Sequence, residues 1–249
     1  MAHRTIGYRI WKHLNKKYGS AHTPPKYIQG KGYNITGINN HIIIVENGIE
    51  RELEKNEIIE GLNINLSGKD NIIKIESPHK FFDCVLDVDS VSSYIEIRKN
   101  TCWGLSRLSV RAKYGEKQKL IIGENATCST LLINLDEDSS VEIGNDCMFG
   151  GGIEILPSDG HAIYDVDTNE ILNKSGHVCI GNHCWIAARC ILLKNTKILD
   201  NSIIAAGSVV TKAFDKKNII AAGNPAKLIK ENTNWDRCNS FYYKKTTQI

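Results

Sequence analysis

Between Pro157 and His183 the chain gathers residues able to do proton-transfer or metal chemistry. The segment Ser158-Asp159-Gly160-His161-Ala162-Ile163-Tyr164-Asp165 sets one imidazole between two carboxylates, and His177 and His183 follow. A neutral imidazole takes a proton near pH 7, and a carboxylate on its second ring nitrogen fixes the tautomer that does so. Asp159 or Asp165 could fill that role for His161. The same three histidines allow another reading, because three imidazoles with an open position suit a zinc ion that generates hydroxide.

What positions these residues is a repeat. Ile180, Ile186, Leu192, Ile198, Ile204 and Val210 recur at every sixth position. Four residues after each of the first five stands a small side chain: Cys184, Cys190, Thr196, Ser202 and Ser208. A six-residue unit is too short for a hairpin or a helical repeat, but it fits one short strand plus a corner, three units making one coil of a parallel β-helix. An apolar helix is excluded, since a six-residue period drifts around a 3.6-residue turn. On this reading Ile180, Ile186 and Leu192 point into one coil and Ile198, Ile204 and Val210 stack on them in the next. The pattern is also clear at Ile122-Gly123 and again at Ile143-Gly144, 21 residues on. Residues 157–177, holding Pro157, Gly160 and Gly176, then leave the coil as a loop, where function tends to sit.

The rest of the 249-residue chain is consistent with one solenoid and its ends. From about Asn34 to Leu120 short alternating runs such as Leu62, Ile64 and Leu66 predict irregular coils of the same solenoid, a separate sandwich domain being the alternative. Ile6, Ile10, Leu14 and Tyr18, flanked by Arg and Lys, predict an amphipathic basic helix that caps the solenoid, packs on a neighbouring subunit or attaches to a membrane or to machinery at its surface. The division expected is 1–34 helix and linker, 35–215 β-helix and 216–249 cap, with Trp235, Tyr242 and Tyr243 in the tail. A net charge of +3, with both signs mixed, points to no general nucleic-acid role. Eight cysteines without a long apolar leader or span read as reduced thiols in the cytoplasm; Cys147, Cys184 and Cys190 sit at small-residue positions as space-fillers.

The hexapeptide run, continued by Ile219-Ile220-Ala221-Ala222-Gly223-Asn224-Pro225-Ala226-Lys227, resembles the hexapeptide-repeat acyltransferases, and the His161 segment resembles the motif of their bacterial surface-polysaccharide O-acetyltransferase branch. The resemblance covers residues 141 to 230 well and the earlier part more thinly. It implies a left-handed β-helix, although parallel crossovers are otherwise almost always right-handed. It implies a homotrimer that moves acetyl from acetyl-CoA to a sugar hydroxyl, with His161 as general base. Trp185, in Cys184-Trp185-Ile186-Ala187, matches the family's Trp-Ile-Gly motif except that Ala187 replaces the glycine, which implies contact near the thioester and a narrower groove. Ala205, Ala206, Gly207 and Ser208 would offer a flat surface to the pantetheine, and Lys212, Asn224, Pro225, Lys227 and Lys230 would meet the rest of the cofactor. No metal is expected: the γ-class carbonic anhydrases share the β-helix, but two of their histidines stand five apart, whereas His183 follows His177 by six. A sugar-nucleotide N-acetyltransferase and a non-catalytic scaffold remain as alternatives.

Overall fold

A computed structural model describes residues 32–54, 56–240 and 243. The chain winds through its strands in threes. The opening turn is β1 (Tyr33–Ile35) and β2 (His41–Glu46), with β3 (Ile49–Glu52) folded back on β2. The next coils are β4 (Leu62–Lys69), β5 (Ile72–Glu76) and β6 (Phe81–Phe82), then β7 (Cys84–Val91), β8 (Tyr94–Ile97) and β9 (Leu105–Ser106), then β10 (Leu108–Glu116), β11 (Lys119–Ile122) and β12 (Thr127–Cys128). After them come β13 (Leu131–Asp136), β14 (Ser140–Ile143) and β15 (Met148–Phe149), then β16 (Ile153–Leu156), β17 (His177–Ile180) and β18 (Trp185–Ile186). The last are β19 (Ile191–Leu193), β20 (Lys197–Ile198) and β21 (Ile203–Ile204), then β22 (Val209–Val210), β23 (Ile220–Gly223) and β24 (Ala226–Lys230). From β4 to β22 every third strand joins the same sheet. Sheet A runs from β1 to β22, sheet B from β2 to β20 and sheet C from β6 to β23, all parallel, and each has eight strands once β3 and β24 add antiparallel edges to B and C.

The six-residue period is realised as stacking. Ile180 pairs with Ile198, Ile186 with Ile204 and Leu192 with Val210, one coil above the next, and all six side chains are buried. The irregular runs before residue 120 enter the same three sheets, with inward Leu62, Ile64 and Leu66 stacked on Cys84, Leu86 and Val88. One contiguous apolar column therefore runs from Ile42 to Ala226. The basic helix expected near the N-terminus, and Tyr242, lie outside the described residues.

The corners explain the small residues. Cys147, Cys184 and Cys190 are buried free thiols, and each directs Sγ at a main-chain oxygen of the following coil: Gly181 at 3.1 Å, Leu199 at 3.3 Å and Ala205 at 3.1 Å. Thr196 does the same with Oγ1 to Val210, also at 3.1 Å. At these four positions the small side chain donates as well as fits, whereas Ala126 at the equivalent position only fits. Gly123, Gly144 and Gly181 stack at another corner, where a Cβ on Gly144 would lie 2.6 Å from the Gly181 carbonyl carbon and push the coils apart.

In the N-terminal coils a polar ladder replaces part of the apolar filling. Asn71, 1% exposed, donates its amide to the main-chain oxygens of Ser67 and Ser90, and its Oδ1 accepts from Ser93 N at 2.9 Å and from Ser90 Oγ. Ser93 Oγ passes the chain on to Gln118.

Candidate active site

The solenoid presents its loop at the corner between sheets A and B. The chain leaves after Leu156 and rejoins the coil at His177, which is already the first residue of β17, so the excursion is 157–176 and one residue shorter than expected. Gly176 N to Pro157 O closes its base at 2.8 Å. Ser175 ties it to the preceding coil through Glu137 and Asp138. Lys194, in the following coil, reaches Asp159 Oδ2 at 2.5 Å. A small hairpin forms the tip, with Tyr164 bridged to Ile171.

The two carboxylates beside His161 are occupied by this architecture. Asp165 Oδ1 accepts from Asp167 N and Thr168 N at 2.9 Å, turning the hairpin, and these bonds hold its carboxyl below the usual range. Asp159 is held down first by Lys194 and then by Asn173, whose Nδ2 donates both to Asp159 Oδ2 and to the carbonyl of His161. That tie is complete above the ordinary aspartate range and is lost as the pH falls through the lowered value. His161 is exposed, and neither of its ring nitrogens has a hydrogen bond among the described residues. Within one chain, then, neither Asp159 nor Asp165 orients the imidazole.

Sequence reasoning missed Asp136. It ends β13 beneath the loop, is 9% exposed, and its Oδ1 has no hydrogen-bond partner among the described residues. Burial pushes its carboxyl above the usual range, and a Cβ on Gly160 would lie 3.9 Å from its Oδ2. An aspartate at the end of a strand gives no sign of this in the sequence.

The other two histidines part company with His161. His177 is exposed on sheet B, its Nδ1 2.7 Å from Ser140 Oγ. His183 stands at the corner between sheets B and C with φ of 51°, in a column of left-handed residues with Asn125, Asp146, Asn201 and Asn218. Its Nδ1 lies 2.6 Å from Asp146 Oδ2 and its Nε2 3.0 Å from the carbonyl of Trp235, so neither nitrogen is directed outward. Among the described residues no three His, Cys, Asp or Glu side chains form a metal-binding group.

Trp185 opens β18 on sheet C with its indole 36% exposed. Ala187 and Ala205 follow at stacked corners, Ala187 N donating to Ile204 O and Ala205 N to Ala221 O. Ala206 and Gly207 are exposed beside them. Ser208 is not: it is buried, with Oγ bonded to the carbonyl of Ala205 and the amide of Gly223, so its side chain shapes the corner from inside. Asn224 and Pro225 form the turn between β23 and β24. Lys212, Lys227 and Lys230 are exposed, without an ion-pair partner among the described residues.

Residues 177–212 match the family model for the bacterial transferase hexapeptide (six repeats). That segment of the solenoid is similar to the family's hexapeptide repeat. Among relatives of this hexapeptide chain, the polysialic acid O-acetyltransferase of Escherichia coli O1:K1 / APEC is 27% identical over 165 residues, which is 61% of this chain and 52% of that one. The polysialic acid O-acetyltransferase of Neisseria meningitidis is 38% identical over 105 residues, 42% of this chain and 49% of that one. The chain thus spans about half the length of these relatives. The solved structure of the polySia specific acetyltransferase NeuO matches with a TM-score of 0.66 at 24% identity, over 84% of this chain and 90% of that one, a likeness of fold. The hexapeptide solenoid is the left-handed β-helix.

Proposed function

We propose that this protein is an acetyl-CoA-dependent O-acetyltransferase acting on a sugar hydroxyl of a bacterial capsular or other surface polysaccharide. The observation that carries the reading is His161: an exposed imidazole with no hydrogen-bond partner among the described residues, on a loop fixed at its base by Gly176, Ser175 and Lys194. Such a ring is available to take the proton of an attacking hydroxyl. The names of the relatives support the acceptor class. Acetyl-CoA fits the residues present: the corner stripe of Ala187, Ala205, Ala206 and Gly207 would receive the pantetheine, and the exposed Lys212, Lys227 and Lys230 would meet its phosphates. When bound, the cosubstrate supplies the activated acetyl group; Trp185 would lie near its thioester end, and Asn224 and Pro225 would shape the far end of the groove.

The test uses labelled acetyl-CoA with capsular polymers, polysialic acid among them, and with amino-sugar nucleotides. Label is expected on a polymer and should be released by mild alkali, as an ester is. Alkali-stable label on an amino-sugar nucleotide overturns the acceptor and identifies an N-acetyltransferase.

The working unit in this reading is a homotrimer. The His161 loop leaves the prism at the corner opposite sheet C, which carries Trp185, and no hydrogen bond or ring contact joins the two residues within the chain. The loop also exposes Ile163, Tyr164, Val166 and Leu172, each more than half accessible, an apolar tip suited to a neighbouring subunit. A cyclic assembly would bring the loop of one copy to sheet C of the next. The mass in solution is expected to be that of three chains; an active single chain overturns this.

A further inference from the structure

Trp185 does not stand alone on its sheet. The tail beyond β24 returns across the corner between sheets B and C and lays Trp235 over it. The Trp235 ring stacks on His183 with centroids 4.4 Å apart and planes 10° from parallel, and its Nε1 donates to the His183 carbonyl at 2.7 Å. Its other neighbour is Trp185, at a centroid distance of 6.0 Å and a tilt of 43°, within the range of favourable aromatic pairs. Trp235 is 9% exposed, well covered for a residue of a terminal tail.

Two residues on, Arg237 bolts the segment down. Its Nε meets Asp146 Oδ1 at 2.9 Å, its Nη1 meets Thr127 Oγ1 at 2.7 Å, and its Nη2 reaches the carbonyls of Asn125 and Cys147. Its guanidinium carbon also lies 5.6 Å from the centre of the Trp235 ring. Asp146 takes His183 on one oxygen and Arg237 on the other. Burial pushes that carboxyl up, but the bonds from His183 and Arg237 outweigh it and leave it below the usual range. Tail and solenoid are thus joined by partners up to 112 residues apart in sequence.

We propose that Trp235 and Arg237 are positioning residues for Trp185: the latch they form with His183 and Asp146 fixes the orientation of the indole that faces the thioester end of the cosubstrate. The inference rests on the role given to Trp185 above, and the tail acts through that indole without touching the substrate.

A double-mutant cycle tests it. Trp185→Ala and Trp235→Ala should each lower kcat/KM, the latter by roughly tenfold, the scale of coupling between touching residues. The double variant should be no worse than Trp185→Ala alone, because a buttress has nothing to do once its indole is gone. Additive losses, or an unchanged kcat/KM in Trp235→Ala, overturn the latch. Unchanged kinetics in Trp185→Ala overturn instead the role assigned to Trp185 at the thioester, and a second measurement then judges the latch without activity. In a chain carrying Trp11→Phe and Trp103→Phe, the two indoles left are the Trp185–Trp235 pair, whose coupled circular dichroism reports their mutual orientation. Adding Arg237→Ala should weaken that coupled signal; an equal signal with and without Arg237 overturns the proposal.

Discussion

Replacing His161 by alanine is expected to lower turnover by at least about a hundredfold, within the range of about 10² to 10⁴ that a general base contributes. Folding should be spared. The ring makes no hydrogen bond among the described residues and sits on an exposed loop, and changes at such sites usually stay within about 0.5 kcal/mol. Asn173 bonds the main-chain oxygen of His161, not its ring, so the loop keeps its shape in the variant. The variant should therefore keep its melting temperature, its assembly and its affinity for acetyl-CoA while losing proton transfer. A folded variant with turnover within about tenfold of the parent, short of the range for a lost general base, would send the proton elsewhere and end this mechanism.

The second large effect is on stability. Asn71→Ala should cost on the order of 3 to 5 kcal/mol, because each buried polar group left without a partner costs about 1 to 3 kcal/mol and this amide serves several. The oxygens of Ser67 and Ser90 lose a donor, and Ser93 N loses an acceptor. The site is too closely covered for bulk water to replace them, Asn71, Ser90 and Ser93 all being 4% exposed or less. Melting followed by circular dichroism should show a fall of about 10 °C, using the usual conversion for chains of this size. In a solenoid each coil leans on its neighbours, so the N-terminal coils should open first. A melting curve that overlays the parent's would show that the ladder contributes nothing to stability.

The part of the fold legible in the sequence is the part whose coils carry no insertions. Ile180 and Ile198 are 18 residues apart and stacked, so the spacing of the residues is itself the register of the sheet. Further toward the N-terminus the same inward column persists, but Ile97 and Ile122 stand 25 apart and the period dissolves into alternation. The small-residue positions were legible in size but not in chemistry, since a bond from Cys184 Sγ to the Leu199 oxygen depends on how one coil lies on the next. For the site, the loop and the solvent-facing indole could be read locally. The partner of Asp159 could not, because Lys194 is brought to it by one full turn of the solenoid, 35 residues on. The latch of Trp235 and Arg237 was hidden for the same reason: in sequence the tail shows only aromatic and basic residues, and what they bind is 52 to 112 positions away.

The two antiparallel strands at the ends of the solenoid bear on how the molecule behaves when crowded. A parallel sheet that simply stops offers a row of unpaired amides and carbonyls to any passing chain, and a left-handed coil could in principle continue from one molecule into another as a fibre. Here β3 closes one end on sheet B with Glu50, Arg51 and Glu52, and β24 closes the other on sheet C with Lys227 and Lys230. The reversed strands fall on different sheets, so a copy arriving end-on meets one edge running the wrong way and finds no common register on the other two. One reversed strand at each end works against growth along the axis, and the protein is expected to stay as discrete particles when concentrated, which light scattering would check.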